Sequence, residues 1–230
     1  MEQFALPLTS MSDYSDESFI LSASNRLAWE WIKQWPDWPV HTTILYGPPA
    51  CGKKHLAYIW LRQSGAMQSG AMQRGVCEEV DAALSVLRSG DIPSGSGIAL
   101  LQKEGDVKDE EALLHLYNYS RESGVSLLIL ADCPPVQWGV KLPDLASRLQ
   151  EAQIQSISAP DDVLLQTLII KLFSDRQLRI SADVPAYIVP RVERSFGALY
   201  RFVAFLDAKA MEEGRNITLP FVRGALLNYE

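Results

Sequence analysis

Short apolar runs alternate with amphipathic stretches up to about residue 158, after which the runs stop and helical patterns alone remain. Thr43-Ile44-Leu45-Tyr46, Gly97-Ile98-Ala99-Leu100-Leu101, Val125 to Leu130 and Ile154 to Ile157 read as strands, with Val76 to Val80 a further short one. The first helix is expected to start at Ser24 as N-cap, to turn Leu27, Ala28, Trp31, Ile32 and Trp35 to one face, and to stop at Pro36. Four tryptophans, Trp29, Trp31, Trp35 and Trp38, crowd this region, a density expected of a helix bolted to a core. Further helices are expected after Gly52, over Ala82 to Arg88 and Asp109 to Ser123, and from Leu142 to Leu149. The later pattern predicts helices over Asp161 to Phe173, Ala182 to Val192, Phe196 to Glu213 and Leu219 to Asn228. Strand–helix alternation followed by helices alone implies an α/β fold: a five-stranded parallel sheet wound on both faces, with a helical cap. A ligand is expected where the two parts meet.

Between the first strand and its helix lies Gly47-Pro48-Pro49-Ala50-Cys51-Gly52-Lys53-Lys54-His55. Strand, glycine-bounded loop and helix are the context of a phosphate-binding loop. Glycines let backbone N–H groups converge on a phosphate, and the helix aims its positive end at the same point. Lys53 would supply a point charge to the terminal phosphates. A hydrolysing loop places Ser or Thr next, where the hydroxyl is a magnesium ligand, but this chain has Lys54. An ammonium has three donors and no acceptor, so it repels a cation and can instead sit against phosphate oxygens. The Gly97 to Leu101 strand is followed by Gln102-Lys103, where such enzymes carry the acidic pair that serves magnesium, and Glu104 and Asp106 follow only in a shifted register. The two departures together predict a nucleotide pocket that needs little magnesium and turns over slowly or not at all. Asp132, at the carboxyl end of the Val125 to Leu130 strand, is a candidate polar sensor of the nucleotide or a turn-forming residue before prolines. Phe19 and Ile20 are candidates to line a base pocket.

Composition narrows the partners. The 230 residues carry a net charge of −7, which argues against a strong intrinsic grip on nucleic acid. Hydrophobic content of 47% and charged content of 21% are those of an ordinary soluble protein. Cys51, Cys77 and Cys133 are widely spaced and form no C-x-x-C, so neither a disulfide framework nor a zinc site is indicated, and a reducing cytoplasm is the expected home. No metal ligand set is expected, and no apolar stretch is long enough to span a membrane. Ser64-Gly65-Ala66-Met67-Gln68 is repeated at once as Ser69-Gly70-Ala71-Met72-Gln73, a loop expansion. The start, Gln3-Phe4-Ala5-Leu6-Pro7-Leu8 before a polar run, reads on its residues alone as a docking peptide, a strand folded back, or a loose tail.

Phe19-Ile20 with Ser24-Asn25-Arg26-Leu27-Ala28, the phosphate loop, Leu142-Pro143-Asp144-Leu145-Ala146-Ser147-Arg148-Leu149 and Pro220-Phe221-Val222-Arg223 together resemble the AAA+ module of the replication initiator DnaA, and more closely the short DnaA-homologous regulators of the Hda type. The resemblance implies an N-terminal clamp-docking peptide and linker over 1–15, an AAA+ base over 16–158 and a helical lid over 159–230. It implies ADP or ATP as the bound nucleotide and leaves the role of magnesium open. Gln3, Phe4, Leu6 and Leu8 would dock on the polymerase III beta sliding clamp, and Arg148 would be an arginine finger acting in trans on DnaA-bound ATP, restraining initiation. Arg201 is the expected lid arginine, with Arg194 a competitor. Contact with DNA would be indirect, and self-association stays open. Two other readings are an adaptor that links a partner to the clamp or initiator without stimulating hydrolysis, and a P-loop ATPase with atypical metal handling.

Overall fold

The computed structural model describes residues 14, 16, 18–65, 76–90, 92–102, 107–227 and 229. Strands β1 (Thr42–Tyr46), β2 (Val76–Cys77), β3 (Gly97–Gln102), β4 (Ser126–Ala131) and β5 (Gln153–Ser156) form one sheet in the order β2-β3-β4-β1-β5, and every pairing is parallel. Strands buried on both faces explain the continuous apolar runs. Alternate side chains serve opposite layers. Ile44, Leu100 and Ile129 face a core completed by α3 (Val80–Arg88), α4 (Glu110–Glu122) and α5 (Pro143–Glu151). Leu45, Ala99 and Leu128 face one built with α1 (Arg26–Lys33) and α2 (Lys53–Gln63).

A third core is purely helical: α6 (Asp162–Asp175), α7 (Asp183–Ile188), α8 (Phe196–Glu213) and α9 (Leu219–Leu226) pack around Phe173, Phe202 and Leu206. Asp161, Ser195 and Thr218 cap α6, α8 and α9 by accepting the backbone N–H of Leu164, Ala198 and Phe221. Among the described residues no helix is long and apolar enough to cross a membrane.

The first helix departs from expectation. It begins at Arg26 with Asn25 before it, and Ser24 does not cap it. The Ser24 hydroxyl meets that of Ser22, while the Asn25 amide accepts from the Ser22 N–H and donates to the Ile20 carbonyl, tying down the entering chain. Leu27 points outward at 71% exposure, because Ala28 and Ile32, four apart, define the buried stripe. The tryptophans form a bolt: Trp38 stacks on Trp60 of α2 and on Trp31, whose indole N–H donates to Thr43 of β1. Expected Val76 to Val80 is a strand for two residues only, since Val80 already opens α3.

Candidate functional site

The phosphate-type loop leaves β1 beside the end of β4, where the Gly47 N–H donates to the Ala131 carbonyl. A Cβ at Gly47 would lie 2.2 Å from the Ile157 carbonyl oxygen, so only glycine fits this start. Ala50 (φ 55°) and Gly52 (φ 105°) adopt left-handed backbone, which curls the chain back to the first turn of α2. Pro49 rides on the outer, exposed part of this curl. Cys51 is buried under the loop, and burial pushes its thiol pKa up, marking it as a packing residue.

Lys53 opens α2 with its ammonium inside the loop. Nζ donates to the carbonyl oxygens of Gly47 (2.5 Å) and Pro48 (2.9 Å) and to Asp132 Oδ1 (2.9 Å), and the side chain is only 6% exposed. Asp132 thus joins the loop as the counter-ion of its lysine. Lys54 turns outward and pairs with Glu78 at 3.4 Å. His55 is a junction: its Nε2 meets the Ser18 hydroxyl, and the rings of Tyr14 and Phe19 stand on edge against it.

Above this loop lies a cavity of about 400 Å³. Gly52, Lys53, Lys54, His55 and Asp132 form its sheet side, Phe196, Gly197 and Tyr200 of α8 its helical side, and Tyr14 another wall. The approach is close: a Cβ at Gly52 would meet the Phe196 ring at 3.3 Å, and one at Gly197 the Ala50 methyl at 3.7 Å. Phe19 lies at the cavity's edge, its ring 3.8 Å from where a Cβ at Gly52 would be, and Ile20 is turned to the helical core. Phe19 stacks on Trp29 at 4.9 Å. Arg201 is exposed beside Gly197, with Nη1 3.4 Å from where a Cβ would be, whereas Arg194 is held 2.6 Å from Asp162 at the start of α6. Tyr14 and Tyr200 were not picked out by sequence reasoning. Tyr200 had a signal, one position before Arg201 on a helix expected to roof the loop; Tyr14 had none beyond its place ahead of Phe19.

Arg148 is elsewhere. On the α4–α5 side it lies 36% exposed, 3.5 Å from Glu151 and over the Tyr117 ring at 5.9 Å, and it lines a small polar hollow with Asn118, Asp144 and Ser147. Glu110 of α4 secures the start of its helix by accepting the backbone N–H groups of Lys141 and Leu142. These bonds hold the Glu110 carboxyl below its ordinary value. Gln3, Phe4, Leu6 and Leu8 lie outside the described residues, as do Lys103, Glu104 and Asp106.

Residues 162–226 match the family model of the Hda lid domain. The fold as a whole superposes on domain III of the replication initiation protein DnaA from Thermotoga maritima with a TM-score of 0.71 and 18% identity, covering 95% of this chain and 97% of that one. Residues 162–226 are therefore similar to an Hda lid domain, and the fold as a whole is similar to that of DnaA domain III. AMPPCP-bound DnaA from Aquifex aeolicus gives a TM-score of 0.67 at 17% identity, covering 87% of this chain and 67% of that one. A point variant of RuvB from Thermotoga maritima gives 0.70 at 14%, covering 93% and 71%.

Such a fold implies a nucleotide and its magnesium, and the two fare differently. The left-handed turns at Ala50 and Gly52 and the N-terminus of α2 fit a phosphate chain, toward which the Lys53 ammonium, here donating to Gly47, Pro48 and Asp132, would have to redirect a donor. Among the described residues the donors at this loop do not fit magnesium. Lys54 stands where a hydroxyl is needed, β3 ends in an amide, Gln102, and the Asp132 carboxylate is engaged by Lys53. Among the described residues no group of three or more His, Cys, Asp or Glu could hold a metal ion.

Proposed function

We propose that this protein is a DnaA-related regulator that binds a nucleoside diphosphate or triphosphate at the β1–α2 loop without magnesium, docks on the sliding clamp through Gln3 to Leu8, and promotes hydrolysis of DnaA-bound ATP through Arg148. The observation that carries the reading is the separation of the two cations. Lys53 is enclosed beside the chain's own cavity, while Arg148 stands on another face, partly exposed and held by one carboxylate at 3.5 Å. An arginine placed that way is available to a neighbouring molecule. There it would stabilise charge building on a transferring phosphoryl group, a contribution on the order of 10³ to 10⁵ in rate. The missing magnesium donors are consistent with this division, since a regulator need not hydrolyse its own nucleotide to act on a partner's. The likeness to AMPPCP-bound DnaA supports nucleotide binding.

The test is hydrolysis of DnaA-bound ATP with clamp loaded on DNA, adding wild type, Arg148→Ala, or a variant lacking Gln3 to Leu8. Stimulation by wild type that is lost in both variants is the expected result. Stimulation that survives Arg148→Ala sinks the finger. No stimulation by wild type, with clamp binding intact, replaces the hydrolytic role with that of an adaptor.

A further inference from the structure

The wall of the cavity contributed by Tyr14 belongs to a short strap of chain with its own fastenings. Tyr14 lies nearly parallel to Tyr58 of α2, with ring centroids 4.5 Å apart and an interplanar angle of 19°, and stands on edge against His55 at 5.4 Å. Asp16 pairs with Lys33 of α1. The Ser18 hydroxyl meets His55, and the Ser18 carbonyl accepts from Lys171 of the lid helix α6 at 3.0 Å. The strap therefore touches both sides of the junction, and Tyr14 sits at its head, lining the same cavity as Lys53 and Tyr200. Phe19, stacked on Trp29, and Ile20, against the helical core, follow Tyr14 in the same stretch. Tyr58 stacks on the Tyr14 ring and is not among the cavity-lining residues, whereas Tyr14 is. Aromatic rings prefer this offset, parallel arrangement, and bases stack readily on tyrosine.

We propose that Tyr14 is the base-stacking residue of the nucleotide cavity, and that through it nucleotide occupancy fixes the root of the N-terminal segment. The inference rests on the nucleotide reading above. Its phosphate half is the β1–α2 loop with Lys53; its base half is the Tyr14 ring backed by Tyr58, closed from the lid by Tyr200. The consequence reaches beyond affinity. Leu8 lies six positions upstream of Tyr14, within about 20 Å of extended chain. Pinning Tyr14 therefore sets where the segment carrying Gln3, Phe4, Leu6 and Leu8 leaves the body. By linkage, a nucleotide that holds the strap is itself held more tightly when the strap is fixed by other means.

Calorimetric titration of the full chain with ADP and with inorganic pyrophosphate separates the base from the phosphates. Tyr14→Ala is expected to weaken ADP about tenfold and to leave pyrophosphate unchanged, while Tyr14→Phe, which keeps the ring, stays within about twofold of wild type for both. Hydrogen exchange at the amides of Asp16, Ser18 and Phe19 should slow when ADP is added to wild type and not when it is added to Tyr14→Ala. Equal losses for ADP and pyrophosphate would make Tyr14 a support of the loop and overturn the stacking role. Unchanged ADP affinity in Tyr14→Ala, with wild type binding normally, overturns the inference and leaves the nucleotide reading intact. Failure of wild type to bind either ligand overturns both.

Discussion

Lys53 and Arg148 are both cations on helices flanking the sheet, and they are built in opposite ways. Lys53 is nearly enclosed and has two carbonyls and a carboxylate within 2.9 Å. Arg148 has one carboxylate at 3.5 Å and a ring at 5.9 Å. The first geometry desolvates the charge and matches it with fixed acceptors, so its cost is met inside the fold. The second leaves the side chain 36% exposed with a single carboxylate partner among the described residues, and a partly exposed pair with Glu151 is worth little in stability. The difference teaches how to tell a charge kept for the chain's own use from one offered outward: partner number and burial, read together, separate them where residue type does not.

The sharpest way to break the comparison is to remove the outward cation. Arg148→Ala should lower stimulation of DnaA-bound ATP hydrolysis on the order of 10³-fold in single-turnover assays, with the melting temperature and ADP affinity unchanged. Arg148→Lys should recover little, because a point ammonium does not reproduce the planar guanidinium fork. If Arg148→Ala instead unfolds the protein, the residue is structural and the contrast with Lys53 collapses.

Removing the inward cation should do the converse. Lys53→Ala is expected to weaken ADP about 100-fold, from the loss of charge-assisted bonds to phosphate, as read by calorimetry. Stimulation by Arg148 should persist wherever the chain still folds and docks. Asp132 loses its counter-ion in this variant but is 38% exposed, so water can take over the solvation of its carboxylate. ADP affinity that survives Lys53→Ala would mean the loop is not the phosphate site.

A smaller effect probes what stands in for the metal. Because Lys54 and Gln102 occupy the positions where magnesium donors are needed, ADP affinity should differ by no more than about threefold between excess EDTA and excess magnesium. Lys54→Ser restores a hydroxyl and should make binding magnesium-dependent. A wild type that requires magnesium would place a metal ligand among residues such as Glu104 or Asp106.

Much of this architecture is legible in the sequence because it is local. All five runs contain strands, those of β1, β3 and β4 alternate between layers, and the loop between β1 and α2 is framed by its own neighbours. What the pattern misjudges is decided at a distance. Leu27 reads as core by spacing, but the buried stripe is centred on Ala28 and Ile32, which leaves it in solvent. Ser24 has the right chemistry for a cap, yet its hydroxyl is taken by Ser22. Ile20 sits in the right stretch for a base pocket, but the lid core claims it, and the cavity gains Tyr14 and Tyr200, residues far apart in the chain. Periodicity reports which face is apolar; it does not report which of two apolar surfaces a residue will meet.

The mildest test concerns the helix that carries Arg148. Helix α5 starts at Pro143 after Leu142, a residue with no capping side chain, and Glu110 supplies the acceptor from α4: Oε1 and Oε2 each lie 3.0 Å from the Lys141 N–H and Oε2 lies 2.6 Å from that of Leu142. Bonds made to the charged form hold the carboxyl below its ordinary 4.5. The folded state therefore takes up this proton less readily than the unfolded chain. The stabilisation is complete above about pH 4.5 and is lost as pH falls through the lower folded value. Glu110→Gln keeps one acceptor oxygen but not the charge, so wild type should melt above the variant at pH 7, and the gap should close on acidification below pH 4.5. At neutral pH the variant should also reduce Arg148-dependent stimulation by a few-fold while leaving ADP affinity untouched, since α5 positions the guanidinium and takes no part in the β1–α2 loop. A gap that stays constant with pH would show that the Glu110 charge does not hold this helix, and that Arg148 owes its position to Tyr117 and Glu151 alone.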